Sequence, residues 1–342
     1  MRSIISTAFF TSTRPRIFGL PAATKSTKSR SKPRRNPIKT LFFGTSDFAV
    51  PSLRVVAERT DLAGVVTQPD RPSGRGHKMR PTPVKVVGGE LGIPVYEPEN
   101  LRAFSQTIAG DGYDLFALVS YGKILPRSLL DLPHLGAFNV HPSLLPKYRG
   151  ATPMQTALRD GARETGVTIM LMDAGMDTGD IVLQERTPIR PDEVYGELHD
   201  RLAAFGAQAL RHAIDLARSG FVMREGQRGT PSVTRPLTKA DLEIDWRWDA
   251  ARIVNAVRAF SPQPGARAEI AGVAVKLLRA KKSALGRMDV SHGGIVGTSG
   301  EDAIVRCGDG SVAIALLVPA NRATMTGSAF ASTLGKDVVK NL

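Results

Sequence analysis

An amide and an imidazole stand two positions apart in Asn139-Val140-His141, and Pro142-Ser143-Leu144-Leu145-Pro146-Lys147-Tyr148-Arg149-Gly150 follows at once. If the apolar stretch 137–140 is a strand that continues through His141, the side chains at 139 and 141 point to one face. A carboxamide N–H beside an imidazole can polarise a carbonyl and stabilise the oxyanion formed when an amine attacks it. A third group comes from Met172-Asp173-Ala174-Gly175-Met176-Asp177-Thr178-Gly179-Asp180, a loop marked by two glycines that can present the Asp177 carboxylate. An Asp beside a His holds its tautomer and favours its protonated form. Singly, each has a plainer reading: a structural histidine, and a carboxylate in a Gly-rich turn. Together they suit the transfer of a carbonyl carbon to an amine.

Such groups need a sheet whose strand ends gather them. Apolar runs at 40–44, 62–67, 115–119 and 137–140 alternate with helix-like stretches at 51–58, 83–91 and 101–109. That alternation predicts a doubly wound, mainly parallel α/β sheet, in which ligands bind beyond the carboxyl ends of the strands. Runs at 167–172 and 181–185 add strands. Residues 194–218 make an amphipathic helix with Leu198, Leu202, Phe205, Leu210 and Ile214 along one stripe. The polar stretch 224–240, with Pro231 and Pro236, reads as a linker. A helix at 249–259 follows it, then short strands at 268–270, 274–278, 294–296, 304–307 and 312–317 split by Gly-rich turns, which suggest a small β-barrel. The expected organisation is a leader over 1–37, a catalytic domain over 38–222, a linker over 223–242 and a C-terminal barrel over 243–342.

The 342 residues, 42% hydrophobic and 23% charged, fit two domains of ordinary composition. No run approaches the roughly 20 apolar residues of a membrane span. The formal charge of +14 is uneven: residues 1–39 hold ten Lys/Arg and no carboxylate, 40–204 hold 17 basic against 20 acidic residues, and 205–342 hold 19 against 12. A basic C-terminal third points to a polyanionic partner, with plain solubility as the alternative. Residues 1–37 are rich in Ser, Thr and Arg, and no acidic residue precedes Asp47. This is the composition of an organellar transit peptide. Arginines alternating with apolar residues favour the mitochondrion over the plastid, and a retained RNA-binding tail is the alternative. Cys307 is the only cysteine, which excludes a disulfide framework and a Cys-based zinc site, and it reads as structural. The first strand ends in Gly44-Thr45-Ser46-Asp47-Phe48 rather than G-x-G-x-x-G, which counts against a dinucleotide-dependent oxidoreductase.

GAFNVHPSLLPKYRGATPMQTAL and ETGVTIMLMDAGMDTGDIV resemble the formyltetrahydrofolate-dependent formyltransferases. The resemblance implies that Asn139, His141 and Asp177 are catalytic and that Ser143, Leu144, Leu145 and Pro146 contact the folate. It also implies 10-formyltetrahydrofolate as co-substrate, with no metal and no tightly bound cofactor. Pro142 stands where relatives often carry Gly, outside the three catalytic positions. FFGTSDFAVPSL and the basic loop TQPDRPSGRGHKMRPTPVK are similar to the branch of the family that acts on methionyl-tRNA. In that loop Arg75, Lys78 and Arg80 are implied to reach the acceptor end of the tRNA. LTKADLEIDWRWDAARIVNAVRAFSPQPGA resembles the start of that branch's C-terminal domain, a small open, OB-like barrel that supports tRNA binding. The resemblance spans 38–330. It implies initiator methionyl-tRNA as partner, for a monomer with no membrane attachment that serves organellar translation initiation. Another amine acceptor, such as a sugar nucleotide, and a non-catalytic RNA-binding role are the alternatives.

Overall fold

Strand β1 (Lys39–Gly44) buries both of its faces, as a parallel strand covered by helices on each side must. Phe42 enters one apolar layer, while Leu41 and Phe43 enter the other. The computed structural model describes residues 37–73, 78–285 and 289–335. The leader, taken as 1–37, lies outside the described residues up to position 36.

From β1 the chain runs through α1 (Val50–Arg59) to β2 (Asp61–Val66), then through the hairpin β3 (Arg71–Ser73) and β4 (Lys78–Arg80) to α2 (Pro83–Glu90) and β5 (Val95–Tyr96). Helix α3 (Leu101–Ile108) is capped by Asn100, whose Oδ1 accepts from the N–H groups of Arg102 and Ala103. There follow β6 (Leu115–Val119), α4 (Arg127–Leu130), β7 (Ala137–His141), β8 (Arg149–Gly150), α5 (Pro153–Arg159), β9 (Glu164–Leu171), β10 (Ile181–Pro188) and α6 (Tyr195–Arg218). Seven strands form one sheet in the order β10-β9-β7-β6-β1-β2-β5, parallel except where β9 meets β7 and β10. The chain moves outward from β1 to β5, then returns with β6 on the other side of β1. Ligand crevices of doubly wound sheets open at such a reversal. There the Thr45 hydroxyl and the Gln68 amide both donate to the Tyr121 carbonyl, each at 3.0 Å. The expected stripe of α6 is buried at Leu198, Leu202, Leu210 and Ile214, with Phe205 half-buried.

The chain then passes a short strand, β11 (Val233–Thr234), to α7 (Ala250–Phe260) and an antiparallel sheet. That sheet holds β12 (Ala266–Ile270), β13 (Val273–Ser283), β14 (Ile295–Ser299), β15 (Asp302–Cys307), β16 (Gly310–Pro319) and β17 (Met325–Thr326), and α8 (Gly327–Ser332) follows it. Its order is β12-β13-β16-β15-β14, with β17 beside β16. One bond from the Ala271 N–H to the Gly293 carbonyl links the two far edges. The mainly parallel sheet followed by an open antiparallel one is the architecture expected. Cys307 is 1% exposed and burial pushes its thiol pKa up, so it behaves as core. Helix α7 packs on α5, and one continuous apolar core joins the helix-covered sheet to the antiparallel one, so the described residues form one unit.

Candidate active site

Phe138 and Val140 of β7 point into the core beneath α6, where Val140 packs against Gly206. The pleat therefore sends Asn139 and His141 together to the opposite face. Because β9 is antiparallel to β7, the loop 172–180 leaves the sheet beside Phe138 and must double back along the strand. That return brings Asp177 to His141, with Oδ2 3.6 Å from the imidazole Nδ1. Gly179 makes the tight return possible, since a Cβ there would lie 1.7 Å from the Leu171 carbonyl oxygen. Gly179→Ala is accordingly expected to push the loop outward, costing about 1–3 kcal/mol of stability. Thermal denaturation read beside turnover should show both falling.

The other imidazole nitrogen fixes the tautomer. Nε2 of His141 lies 2.9 Å from the Tyr148 carbonyl, which can only accept, so Nε2 carries the proton and Nδ1 offers its lone pair. His141 is 4% exposed. Burial lowers its pKa below the ordinary 6.5, against the upward pull of the Asp177 charge and the Tyr148 carbonyl. The protonated form expected from the Asp–His pairing is thus outweighed by desolvation. The neutral ring leaves a base at Nδ1.

Asp177 is itself held. Its Oδ2 accepts from the Gly150 N–H at 2.7 Å. Its φ of 53° is left-handed, as are those of Tyr148 (60°) and Ser120 (48°). Non-glycine residues in this region concentrate where the surrounding structure over-determines a functional site. Asn139, half-buried, has no hydrogen-bond partner for its carboxamide among the described residues, so both amide protons are free for a ligand. The three groups named from sequence therefore converge on one face.

The run Ser143–Pro146 lies beside this face as a locked turn. Ser143 is fully buried, its hydroxyl donates to the Lys147 carbonyl at 2.6 Å, and its own carbonyl accepts from the Thr168 hydroxyl at 2.7 Å. Leu145 is 3% exposed, and its backbone is gripped by Thr168 and Gln184. Pro146 is buried and Leu144 half-buried, so the side chains of Ser143 and Leu145 face inward. A groove of about 700 Å³ runs along this turn past Leu144, Pro146, Gln184 and Arg228, but Asn139, His141 and Asp177 do not line it. Of the loop cations, Arg75 lies outside the described residues, Lys78 sits on β4, and Arg80 at the end of β4 is exposed. Among the described residues, no three His, Cys, Asp or Glu side chains gather closely enough to hold a metal ion.

Sequence reasoning did not single out Tyr148, Gly150 or Tyr121. The first two act through the backbone, which carries no residue-type signal. Tyr121, at the sheet reversal, has a buried hydroxyl without a partner among the described residues, and burial pushes its pKa up to about 12. The segment 225–235, read as spacer, is bonded to the site along its length. The Ser232 hydroxyl accepts from the Tyr148 N–H at 2.8 Å, Thr234 bonds Arg149 and Thr152, and β11 pairs with β8.

Residues 39–214 match the formyl transferase family, and 236–335 match the formyl transferase C-terminal domain. The methionyl-tRNA formyltransferase of Trichlorobacter lovleyi is 40% identical over 294 residues, covering 85% of this chain and 92% of the relative. That of Geobacter metallireducens is 43% identical over 278 residues, covering 80% and 88%. Among solved structures, WlaRD, a sugar 3N-formyl transferase, superposes with a TM-score of 0.61 at 19% identity, covering 84% of this chain and 100% of that one. HypX from Aquifex aeolicus in complex with tetrahydrofolic acid gives 0.60 at 16%, covering 88% and 48%. These two likenesses speak to the fold, and the relatives at 40% and above speak to the family. The chain belongs to the methionyl-tRNA formyltransferase family.

Proposed function

We propose that this protein transfers the formyl group of 10-formyltetrahydrofolate to the amino group of methionyl-tRNA. The observation that carries the reading is the convergence of Asn139, His141 and Asp177 on one face, in a chain whose similarity to methionyl-tRNA formyltransferases runs through both halves. We assign the steps as follows. The free Asn139 amide donates to the formyl oxygen and gains strength as that oxygen becomes an oxyanion. His141 Nδ1, unprotonated, accepts the proton that the amine sheds as its nitrogen bonds to the formyl carbon. Asp177 steadies the imidazolium so formed. When the bond from the formyl carbon to the folate nitrogen breaks, the Nδ1 proton passes to that departing nitrogen, and His141 is neutral again.

The acceptor is set by surfaces outside this face. We assign Arg75, Lys78 and Arg80 to the acceptor end of the tRNA, and the basic C-terminal third to its backbone. Leu144 and the backbone of 143–146 are assigned to the folate. The enzyme is taken as a monomer without membrane attachment, acting on initiator methionyl-tRNA in the mitochondrion, with residues 1–37 as its transit peptide. The composition of those residues supports that localisation, and fusing 1–40 to a fluorescent reporter tests it.

The decisive assay incubates the purified protein with the folate donor and either methionyl-tRNA or an amino-sugar nucleotide, then probes each amine for a formyl block. Methionyl-tRNA is expected to be blocked and the sugar left free. The opposite pattern would give the site another acceptor.

A further inference from the structure

Asp177 sits in the left-handed region of a loop that Asp173 ties internally, accepting from the Gly175 N–H and the Thr178 hydroxyl but not from Asp177 itself. The hold on the Asp177 backbone comes from 50 positions away. Gln227 Nε2 lies 2.8 Å from the Asp177 carbonyl and 2.8 Å from the Gly179 carbonyl, so both protons of one amide nitrogen are spent on this loop. The Gln227 carbonyl oxygen accepts from Arg149 Nε at 3.1 Å and Nη2 at 2.7 Å. Arg149 precedes Gly150, whose N–H holds the Asp177 carboxylate at 2.7 Å. One side chain therefore grips Asp177 by its backbone and, through the neighbouring residue, reaches the donor that holds its carboxylate. The ring is closed.

We propose that Gln227 is the positioning residue of this site, holding Asp177 so that its carboxylate meets His141 Nδ1. Gln227 is bonded to neither His141 nor Asn139 and acts only through Asp177. The assignment rests on the formyl-transfer reading for the role of Asp177, but not for the bonds themselves. It also gives the segment 225–235 a task in the reaction beyond joining two sheets.

Two variants and two readouts test it. Gln227→Ala removes the whole clamp. Gln227→Glu keeps an acceptor for Arg149, now charged, but has no proton for either loop carbonyl. A latch that served only to hold Arg149 would survive in Gln227→Glu, whereas a positioning role would be lost in both. Both variants are expected to lose on the order of 10- to 100-fold in kcat, with KM for either substrate within about twofold. The second readout is the His141 titration by NMR in the protein without substrates, with the resonance assigned by its disappearance in His141→Asn. Release of Asp177 removes an upward influence on His141, so its pKa should fall below the wild-type value in both variants. Wild-type kcat in Gln227→Glu, or an unmoved His141 titration in Gln227→Ala, overturns the proposal. Failure of the functional reading would look different: the wild-type protein would leave methionyl-tRNA unformylated, while the titration would still report on the clamp.

Discussion

Asn139→Ala is expected to lower kcat by about 10²–10³-fold, the loss of one oxyanion donor, or about 2.7–4 kcal/mol of transition-state stabilisation. The substitution is clean for a structural reason. The Asn139 carboxamide bonds no other side chain among the described residues, so its removal strands no partner. Thermal stability should stay close to wild type. Asn139→Asp supplies the control, because it preserves shape but replaces two donors with acceptors that repel an oxyanion. It should be at least as defective as the alanine variant. Single-turnover measurements with saturating donor and acceptor separate the chemical step from binding. Turnover within tenfold of wild type in Asn139→Ala would remove this residue from the reaction.

Asp177→Asn should lose about two orders of magnitude in kcat and shift the pH profile in a defined direction. If, as proposed, the wild-type reaction uses neutral His141, kcat falls as pH drops through its pKa, which burial holds below 6.5. Asp177 opposes that depression. Its charge lost, desolvation acts with less resistance, and the acid limb must move to still lower pH while the plateau falls. A basic limb that moved down in pH, in place of the acid limb, would mean that His141 works in its protonated form. The Gly150 N–H separates charge from geometry, since it can still bond the asparagine oxygen and hold the loop near its place.

Much of the frame was legible because burial leaves a pattern. Runs such as Leu41–Phe43 and Leu115–Val119 are apolar on both faces, as covered parallel strands must be, and the stripe of α6 repeats at helical spacing. The pair Asn139 and His141 was legible for the same reason, since alternation along β7 fixes their common face. The grip on the site was not. Gln227, Ser232 and Thr234 act through bonds spanning 48 to 85 positions, and a polar segment without periodicity gives no sign of where its side chains end. Nor does an Asp–His pairing in sequence reveal its depth. Only the 4% exposure of His141 shows that desolvation outweighs the neighbouring charge. Ser143 resembles a ligand-facing hydroxyl by motif, yet it is turned inward to close its own turn.

The shared core beneath α7 bears on what the molecule can become. Arg258, near the end of that helix, donates to the carbonyls of Glu193 and Arg190 just ahead of α6, while Phe260 is fully enclosed. A chain cut before α7 would bare the flank of α5 and remove the Arg258 guanidinium from both carbonyls, leaving that of Arg190 only its bond from the Glu193 N–H. The rear portion is therefore foundation as well as appendage: a shortened descendant specialised for small acceptors would first need to rebuild that exposed wall.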